Sequence, residues 1–240
     1  MLIFVFVIIF GLCFGSFANV LIFRIPLGLN IALPGSFCPH CKRGLKWGEL
    51  IPIFSFIFLK AKCKSCKNKI PFIYVFSEIL GGILALICFL EFSYFGLVLF
   101  LFLLNFYVLS VIDVRILAVP DSLNFLGFFL ALGCFFMFDK TLFESLLDGL
   151  IFLGFASFLR LFVGSVLDKE VLGEGDLVIF ASIGALFSTL NAFVAIFLSA
   201  IFALLFLVIY YFRYKKMLQA PFVPFLFLGT ICVLGQKYFF

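Results

Sequence analysis

Eight long runs of apolar residues, separated by short polar segments, constrain this chain more than any other feature of its sequence. A membrane-spanning helix needs roughly 20 predominantly apolar residues. Only 12% of the residues are charged, and 41 are phenylalanine, whereas a soluble domain carries about 25% charged residues. The pattern predicts an all-α polytopic membrane protein, embedded in lipid, with about eight transmembrane helices. The predicted spans are 1–23, 72–90, 93–112, 122–138, 142–163, 177–190, 192–212 and 222–238.

The distribution of basic residues predicts the orientation in the membrane. Nine of the 17 Lys and Arg residues lie between Arg24 and Lys69, and cytoplasmic loops carry an excess of such residues. This loop is therefore expected in the cytoplasm and the N-terminus outside. Because the basic residues flank membrane segments throughout, the net charge of +5 indicates orientation, and we expect no nucleic-acid partner.

The predicted cytoplasmic loop contains two cysteine pairs, Cys38 with Cys41 and Cys63 with Cys66, in the spacing C-x2-C-x21-C-x2-C. Two such pairs are typical of a tetrahedral zinc site with four thiolate ligands. Two disulfides are the alternative, which the reducing cytoplasm disfavours. A loop of this size is too small for a large core, so a structural zinc would stabilise it. Its apolar stretch 50–59 is too short to span and is expected to pack on the bilayer surface or on the lobe.

Two aspartates lie at the ends of predicted helices. Asp113 follows the apolar run 97–112, and Asp176 follows the paired glycines of Gly173-Glu174-Gly175. Ionisable groups at membrane depth are costly and are usually functional. Threading eight spans from an outside N-terminus places both aspartates at the cytoplasmic face. The sequence therefore predicts a carboxylate pair inside a membrane protein.

Each acid also has a structural interpretation. Asp113 could be a helix-end charge paired with Arg115, and Asp176 could be an N-terminal acid favoured by the helix dipole. Asp121, after Pro120, is expected to cap the next helix. The presence of both Asp113 and Asp176 favours a catalytic interpretation over these structural ones, because two close carboxylates share a proton. The ionised acid can take a proton from water while the protonated acid polarises a scissile carbonyl group.

Six segments, in order, resemble the type IV prepilin peptidases, which are membrane aspartyl proteases of the GxGD kind. The four-cysteine lobe is one of them, with W-G-E-L-I-P between its cysteine pairs. The others are G-S-F-A-N-V-L-I-F-R-I-P at 15–26, S-E-I-L at 77–80, the segment 113–121, G-E-G-D at 173–176 and A-P-F-V-P-F at 220–225.

This resemblance implies catalytic roles for Asp113 and Asp176. It implies an inner-membrane enzyme that cleaves the short basic leader from prepilin or pseudopilin substrates at the cytoplasmic face. The lobe resembles that of bifunctional members, which also N-methylate the new N-terminus with S-adenosylmethionine. Glu49 and Glu78 resemble family positions near the lobe and are weak candidates for contacting the substrate amine or the cofactor.

The resemblance also implies a domain organisation. We expect a first transmembrane helix at 1–23, a cytoplasmic four-cysteine lobe associated with methyl transfer at 24–71, and a transmembrane peptidase core at 72–240. The sequence departs from the family at Val178, where a lysine is common, and at Glu174, where an aromatic or aliphatic residue is usual. Neither departure removes a catalytic carboxylate.

Two other classes of protein compete with this interpretation. A proton-coupled transporter, or a non-enzymatic assembly scaffold with a structural zinc, could also carry intramembrane acids. Transport carboxylates lie near the bilayer midplane, whereas these two are predicted at one face. A GxGD protease that cuts within signal peptides is a further alternative, which the cysteine lobe disfavours.

Overall fold

The computed structural model describes residues 2–92, 96–167, 172–215 and 220–239, and the regular elements in these ranges are all helices. Two isolated β-bridges, Phe37 with Gly44 and Lys62 with Lys69, supplement them. The predicted all-α fold is confirmed. The described helices are α1 (Leu2–Arg24), α2 (Phe54–Phe58), α3 (Ile73–Phe92), α4 (Gly96–Ile116), α5 (Asp121–Gly133), α6 (Leu142–Leu167), α7 (Glu174–Leu186), α8 (Thr189–Tyr214) and α9 (Val223–Phe239).

Five segments are long and apolar enough to cross a membrane: Leu2–Leu27, Ile73–Glu91, Gly96–Ile116, Leu142–Val166 and Thr189–Tyr214. The three other predicted spans correspond to the shorter helices α5, α7 and α9, of 13, 13 and 17 residues. A 13-residue helix is about 20 Å long, against about 30 Å for a hydrocarbon core. The count of eight spans therefore remains a prediction.

The chain divides into two compact units, Met1–Phe100 and Leu101–Phe240. In the first unit α1 packs along α3. A Cβ added at Gly15 would lie 2.8 Å from the Glu78 Cα, and one at Gly81 would lie 2.9 Å from the Gly15 Cα. Small residues of this kind let two membrane helices approach closely. This contact fixes the start of α3, which carries Glu78, against α1.

Between α1 and α3 lies the lobe, whose apolar stretch 50–59 has two kinds of side chain. Phe56 and Leu59 line a cavity that is partly open to the outside. Ile57 and Phe58, from the short helix α2, are 63% and 81% exposed. The stretch therefore packs partly within the lobe and partly presents apolar side chains outward.

In the second unit α7 lies at the centre, with residues 179–186 all buried. It packs against α5 and α6, while α8 packs against α9. Gly184 allows close contact with α6, since a Cβ there would lie 2.6 Å from a ring carbon of Phe152. The predicted span 177–190 therefore corresponds to a short helix that is surrounded by other helices of this unit, and its first turn carries Asp176.

The turn between α7 and α8 is short. Helix α7 ends at Leu186, Phe187 is extended, and α8 begins at Thr189. Lys140 stabilises the end of α7, because its Nζ donates to the carbonyl of Phe187 at 2.7 Å and contacts those of Gly184 and Ala185 at 3.4 Å. These bonds satisfy carbonyls at the end of the helix.

Candidate active site

Asp113 lies in the last turn of α4 and is only 6% exposed. Its Oδ2 accepts the backbone N–H of Val223 at 3.0 Å, and Val223 is the first residue of α9. A helix N-terminus favours an anion because its N–H groups lack partners within the helix. The A-P-F-V-P-F segment thus supplies a partner for Asp113 from 110 residues further along the chain.

Asp176 lies in the first turn of α7 and is half-buried. Its Oδ2 accepts the N–H of Gly173 at 3.2 Å. Burial of the carboxyl group, and then the negative charge of Asp113, raise the pKa of Asp176 to about 6. The two acids therefore interact electrostatically. The rings of Phe180 and Phe222, with centroids 6.2 Å apart, also join α7 to the segment that binds Asp113.

Two contacts hold the turn before Asp176 against the segment after Asp113. Asn124 is 2% exposed, and its Nδ2 donates to the carbonyl of Gly175 at 2.8 Å. A Cβ built at Gly175 would lie 2.6 Å from the Cβ of Val119, so only glycine fits there without movement. Asn124 was missed by the sequence interpretation, although a polar amide inside the predicted span 122–138 was a usable signal.

The prediction that Asp121 caps α5 is wrong. Pro120 occupies the N-cap position with no side-chain hydrogen bond, and Asp121 is the first helical residue and is exposed. An acid at this position is still favoured by the helix dipole. Glu174, one of the departures from the family, is exposed and forms an ion pair of 3.1 Å with Arg160. A surface ion pair of this kind contributes little to stability.

The four cysteines of the lobe form one cluster. Their Sγ atoms all lie within 4.8 Å of one another, with separations of 3.8 Å for Cys38 to Cys66 and 4.0 Å for Cys41 to Cys63. A zinc ion with four bonds of about 2.3 Å requires sulfur separations of roughly 3.8 Å. The cluster can therefore hold a metal such as zinc. His40 is exposed and is not needed as a ligand.

Both cysteine pairs have the same backbone geometry, which explains why they converge. Lys42 donates its N–H to the carbonyl of Cys38, and Lys67 donates to Cys63. Both lysines have φ of 58°, and each turn is closed by one of the two β-bridges. In the second turn the N–H groups of Cys66 and Ser65 lower the pKa of the Cys63 thiol to about 6. Such turns present two sulfurs on one side, as a metal requires.

Glu49 and Glu78 line the same cavity of about 230 Å³, formed by the end of α1, the lobe and the start of α3. Glu49 Oε1 pairs with Arg43 at 2.7 Å, and its Oε2 accepts the N–H of Lys46 at 2.8 Å. The Arg43 bond is the main reason that the pKa of Glu49 is lowered. Glu78 is 7% exposed, and its Oε2 accepts the N–H of Ile53 at 2.7 Å. Cys38 and Cys63 also border this cavity.

These features define a helical membrane protein with one buried and one half-buried aspartate near each other and a separate cluster of four cysteines. Residues 9–92 match the model of the bacterial peptidase A24 N-terminal domain, and residues 97–208 match that of the type IV leader peptidase family. The chain belongs to the type IV leader peptidase family. This membership does not favour the transporter or scaffold interpretation.

Individual relatives agree with the family assignment. The chain is 34% identical over 229 residues to a prepilin leader peptidase/N-methyltransferase of Bacillus subtilis, covering 93% of this chain and 90% of that protein. It is 36% identical over 200 residues to one of Myxococcus xanthus, covering 82% of this chain and 59% of that protein. A type 4 prepilin-like proteins leader peptide-processing enzyme of Escherichia coli is 32% identical over 199 residues, covering 73% of each. No solved structure matches the chain.

Proposed function

We propose that this protein cleaves the leader peptide of prepilin-like proteins with Asp113 and Asp176, and then N-methylates the new N-terminal residue. The observation that carries the peptidase assignment is the convergence of two acids that lie 63 residues apart in the chain. Asp113 accepts the N–H of Val223, and the neighbouring Phe222 ring packs against Phe180 of α7, the helix that carries Asp176. The names of the relatives from Bacillus subtilis and Myxococcus xanthus support both activities. The substrates are prepilins or pseudopilins.

The two aspartates divide the work of hydrolysis. Asp176 holds the shared proton, because its pKa is raised to about 6 by burial and by the charge of Asp113. Asp113 is the ionised member, stabilised by the N–H of Val223 at 3.0 Å. Asp113 takes a proton from water as the water oxygen attacks the scissile carbonyl carbon, and Asp176 donates a hydrogen bond to the carbonyl oxygen. The carbon–nitrogen bond then breaks, and the leaving amine takes up the proton.

The turn before Asp176 suits a peptide substrate. Gly173 adds no side chain next to the Asp176 carboxyl group, since a Cβ built there would lie 3.4 Å from the Oδ2 atom. Glu174 is 83% exposed and points to Arg160. An extended peptide backbone can therefore approach the reacting acids closely.

The membrane topology follows from the distribution of basic residues. We propose eight spans, with the lobe at 24–71 and the aspartate pair at the cytoplasmic face of the inner membrane. The first span is 1–23 and the peptidase core is 72–240. This arrangement places the acids where a substrate with a cytoplasmic basic leader and a membrane-embedded apolar segment presents its cleavage site.

Zinc and S-adenosylmethionine are assigned to the lobe. The cysteines Cys38, Cys41, Cys63 and Cys66 bind zinc, which stabilises a segment with little core of its own. S-adenosylmethionine, when bound, supplies an activated methyl group on a sulfonium centre. The cavity between the end of α1, the lobe and the start of α3 is the site at which this chain's residues meet it. The carboxylate of Glu78 suits a cationic ligand, whereas that of Glu49 is already paired with Arg43.

The test of the peptidase assignment is to replace each aspartate by asparagine. Asp113→Asn and Asp176→Asn are each expected to lower the rate of leader cleavage by about 10²- to 10⁴-fold, because each removes a proton-transfer group. The assay follows prepilin conversion by purified protein in liposomes. Asp139→Asn is the matched control, since Asp139 is exposed and has φ of 53°, a conformation that asparagine tolerates. Near wild-type cleavage by either dyad variant would refute the assignment.

A further inference from the structure

The two glutamates that line the cavity beside the lobe, Glu49 and Glu78, differ in whether a basic side chain pairs with them, which the sequence does not show. The negative charge of the Glu49 carboxylate is compensated by the Arg43 guanidinium, which lies 2.7 Å from it. The positive charge of Lys64 also stabilises this carboxylate. Among the described residues, no Lys, Arg or His nitrogen lies within 4.0 Å of the Glu78 carboxylate. Glu78 is nevertheless 93% buried, since its exposed fraction is 7%. One carboxylate is therefore paired, whereas the other is buried without a cation.

A buried charge without a partner is costly, and it persists where function requires it. Two neutral hydrogen bonds support Glu78, one from the N–H of Ile53 at 2.7 Å and one from the side chain of Ser16. Arg24, His40, Lys64 and Lys69 also line the cavity, but among the described residues none of them forms an ion pair with Glu78. The Arg24 guanidinium donates to four backbone carbonyls, those of Asn30, Ile31, Pro34 and Gly35. The Arg24 guanidinium therefore binds the loop that follows α1 and stabilises its fold. A cation in the cavity would meet Glu78 as its counter-ion.

The remaining walls define what kind of cation fits. Apolar side chains that line the cavity together with Glu78 include Val75, Phe56 and Leu59, which favour a ligand with an apolar or planar body. The volume of about 230 Å³ is slightly below the range of about 300–1,000 Å³ that is typical of small-molecule sites. A cavity of this size has room for the charged end of a ligand, while the rest of a larger ligand would extend beyond it.

We propose that Glu78 is the counter-ion for an organic cation bound in this cavity, and that Glu49 only supports the lobe. The inference rests on the proposed methyl-transfer function, in which two such cations take part. One is the sulfonium of S-adenosylmethionine, and the other is the N-terminal ammonium of the processed peptide. Both present one positive charge on an apolar or planar body, and the two arms of the test distinguish them.

The test measures charge selectivity in equilibrium binding to the purified full-length protein. The first arm compares S-adenosylmethionine with S-adenosylhomocysteine, which lacks the methyl group and the sulfonium charge. The second arm compares a peptide with the mature pilin N-terminus against the same peptide acetylated at its amine. The wild-type protein is expected to prefer the charged member in at least one arm.

Glu78→Gln keeps the shape of the side chain and an oxygen for the Ile53 N–H, but removes the charge. It is expected to weaken binding of the charged member at least about tenfold, the scale of a charge-assisted hydrogen bond, and to leave binding of the neutral member nearly unchanged. Loss of selectivity in the first arm identifies the sulfonium, and loss in the second identifies the amine. Glu49→Gln is the matched control and should keep the selectivity in both arms.

The inference is overturned if Glu78→Gln keeps wild-type selectivity in both arms, or if the wild-type protein shows no charge selectivity at all. Zinc content and binding of the neutral ligand report whether the variant is folded. If Glu78→Gln does not fold, Glu78→Asp replaces it, because it keeps the charge but retracts it by one methylene group. Selectivity unchanged by this retraction would also overturn the inference. Leader cleavage by the same wild-type preparation tests the proposed peptidase function separately.

Discussion

Replacing Gly175 by alanine isolates the contact that sets the aspartate pair. A Cβ at this position would lie 2.6 Å from the Cβ of Val119, and 3.2 Å and 3.3 Å from its two methyl carbons. Carbon atoms normally approach to about 3.5–4.0 Å. Because the Val119 Cβ is bonded directly to the backbone, a change of rotamer cannot relieve the closest contact. The turn before Asp176 and the segment after Asp113 must therefore separate by about 1 Å.

The size of the effect follows from this displacement. Overpacking of this kind costs about 1–3 kcal/mol, and a 1 Å misplacement of catalytic groups can cost about 100-fold in rate. Gly175 is the second residue of α7, where alanine would otherwise favour the helix. We therefore expect Gly175→Ala to remain folded and to lose about 100-fold in kcat/KM for leader cleavage.

The assay compares initial rates of prepilin cleavage in liposomes at equal protein abundance. Val119→Gly removes all three contacting atoms, so the double variant Gly175→Ala with Val119→Gly should recover much of the lost rate. Gly154→Ala is the matched control, because no neighbouring atom lies within 4 Å of a Cβ at that position. If Gly175→Ala cleaves at the wild-type rate, or if Val119→Gly fails to restore the double variant, the steric argument is wrong.

Three further predictions concern metal, pH and topology. Elemental analysis of the purified protein should find about one zinc per chain, and a zinc-free wild type would contradict this. Cys66→Ser should lose the zinc, whereas Cys88→Ser should keep it because Cys88 lies outside the cluster. Because the raised pKa of Asp176 keeps its proton bound up to about pH 6, kcat/KM should fall as pH rises through that value, and a flat profile there would contradict the proton assignment. A cysteine at Lys46 should be shielded from an impermeant thiol reagent in intact cells while one at Asp139 reacts above background, and the reverse pattern would overturn the topology.

The apolar runs predicted the helices well but their environment less well. Five runs have the length and composition of spans, whereas 177–190 forms a 13-residue helix whose later part is buried in protein. Lipid and a protein interior select the same apolar side chains, so composition does not distinguish them. The end of α7 depends on Lys140, a residue more than 40 positions earlier, and no local pattern indicates such a partner.

The two candidate sites also differ in how far a local sequence pattern predicts their geometry. The cysteine spacing was sufficient to predict one cluster, because each C-x2-C turn presents two sulfurs on one side. For the aspartates, residue type and position predicted the pair. The partners that orient them are a backbone N–H at Val223 and an amide at Asn124. A backbone N–H has no signature in a sequence, since every residue except proline has one. The sequence likewise gave no reason to separate Glu49 from Glu78, whose difference lies in their neighbours.

The buried position of α7 explains why a single methyl group at Gly175 should have a large effect. At its end, Lys140 binds the last carbonyls and forms an ion pair of 2.8 Å with Asp148, which also accepts the hydroxyl of Thr189 at 2.8 Å. At its start, Asn124 holds the Gly175 carbonyl at 2.8 Å. A helix fixed at both ends and packed along its length cannot slide to relieve a clash, because packed interiors deform little. The strain must then fall on the turn that carries Asp176, which the proposed mechanism requires to stay close to Asp113 so that the two carboxylates can share a proton.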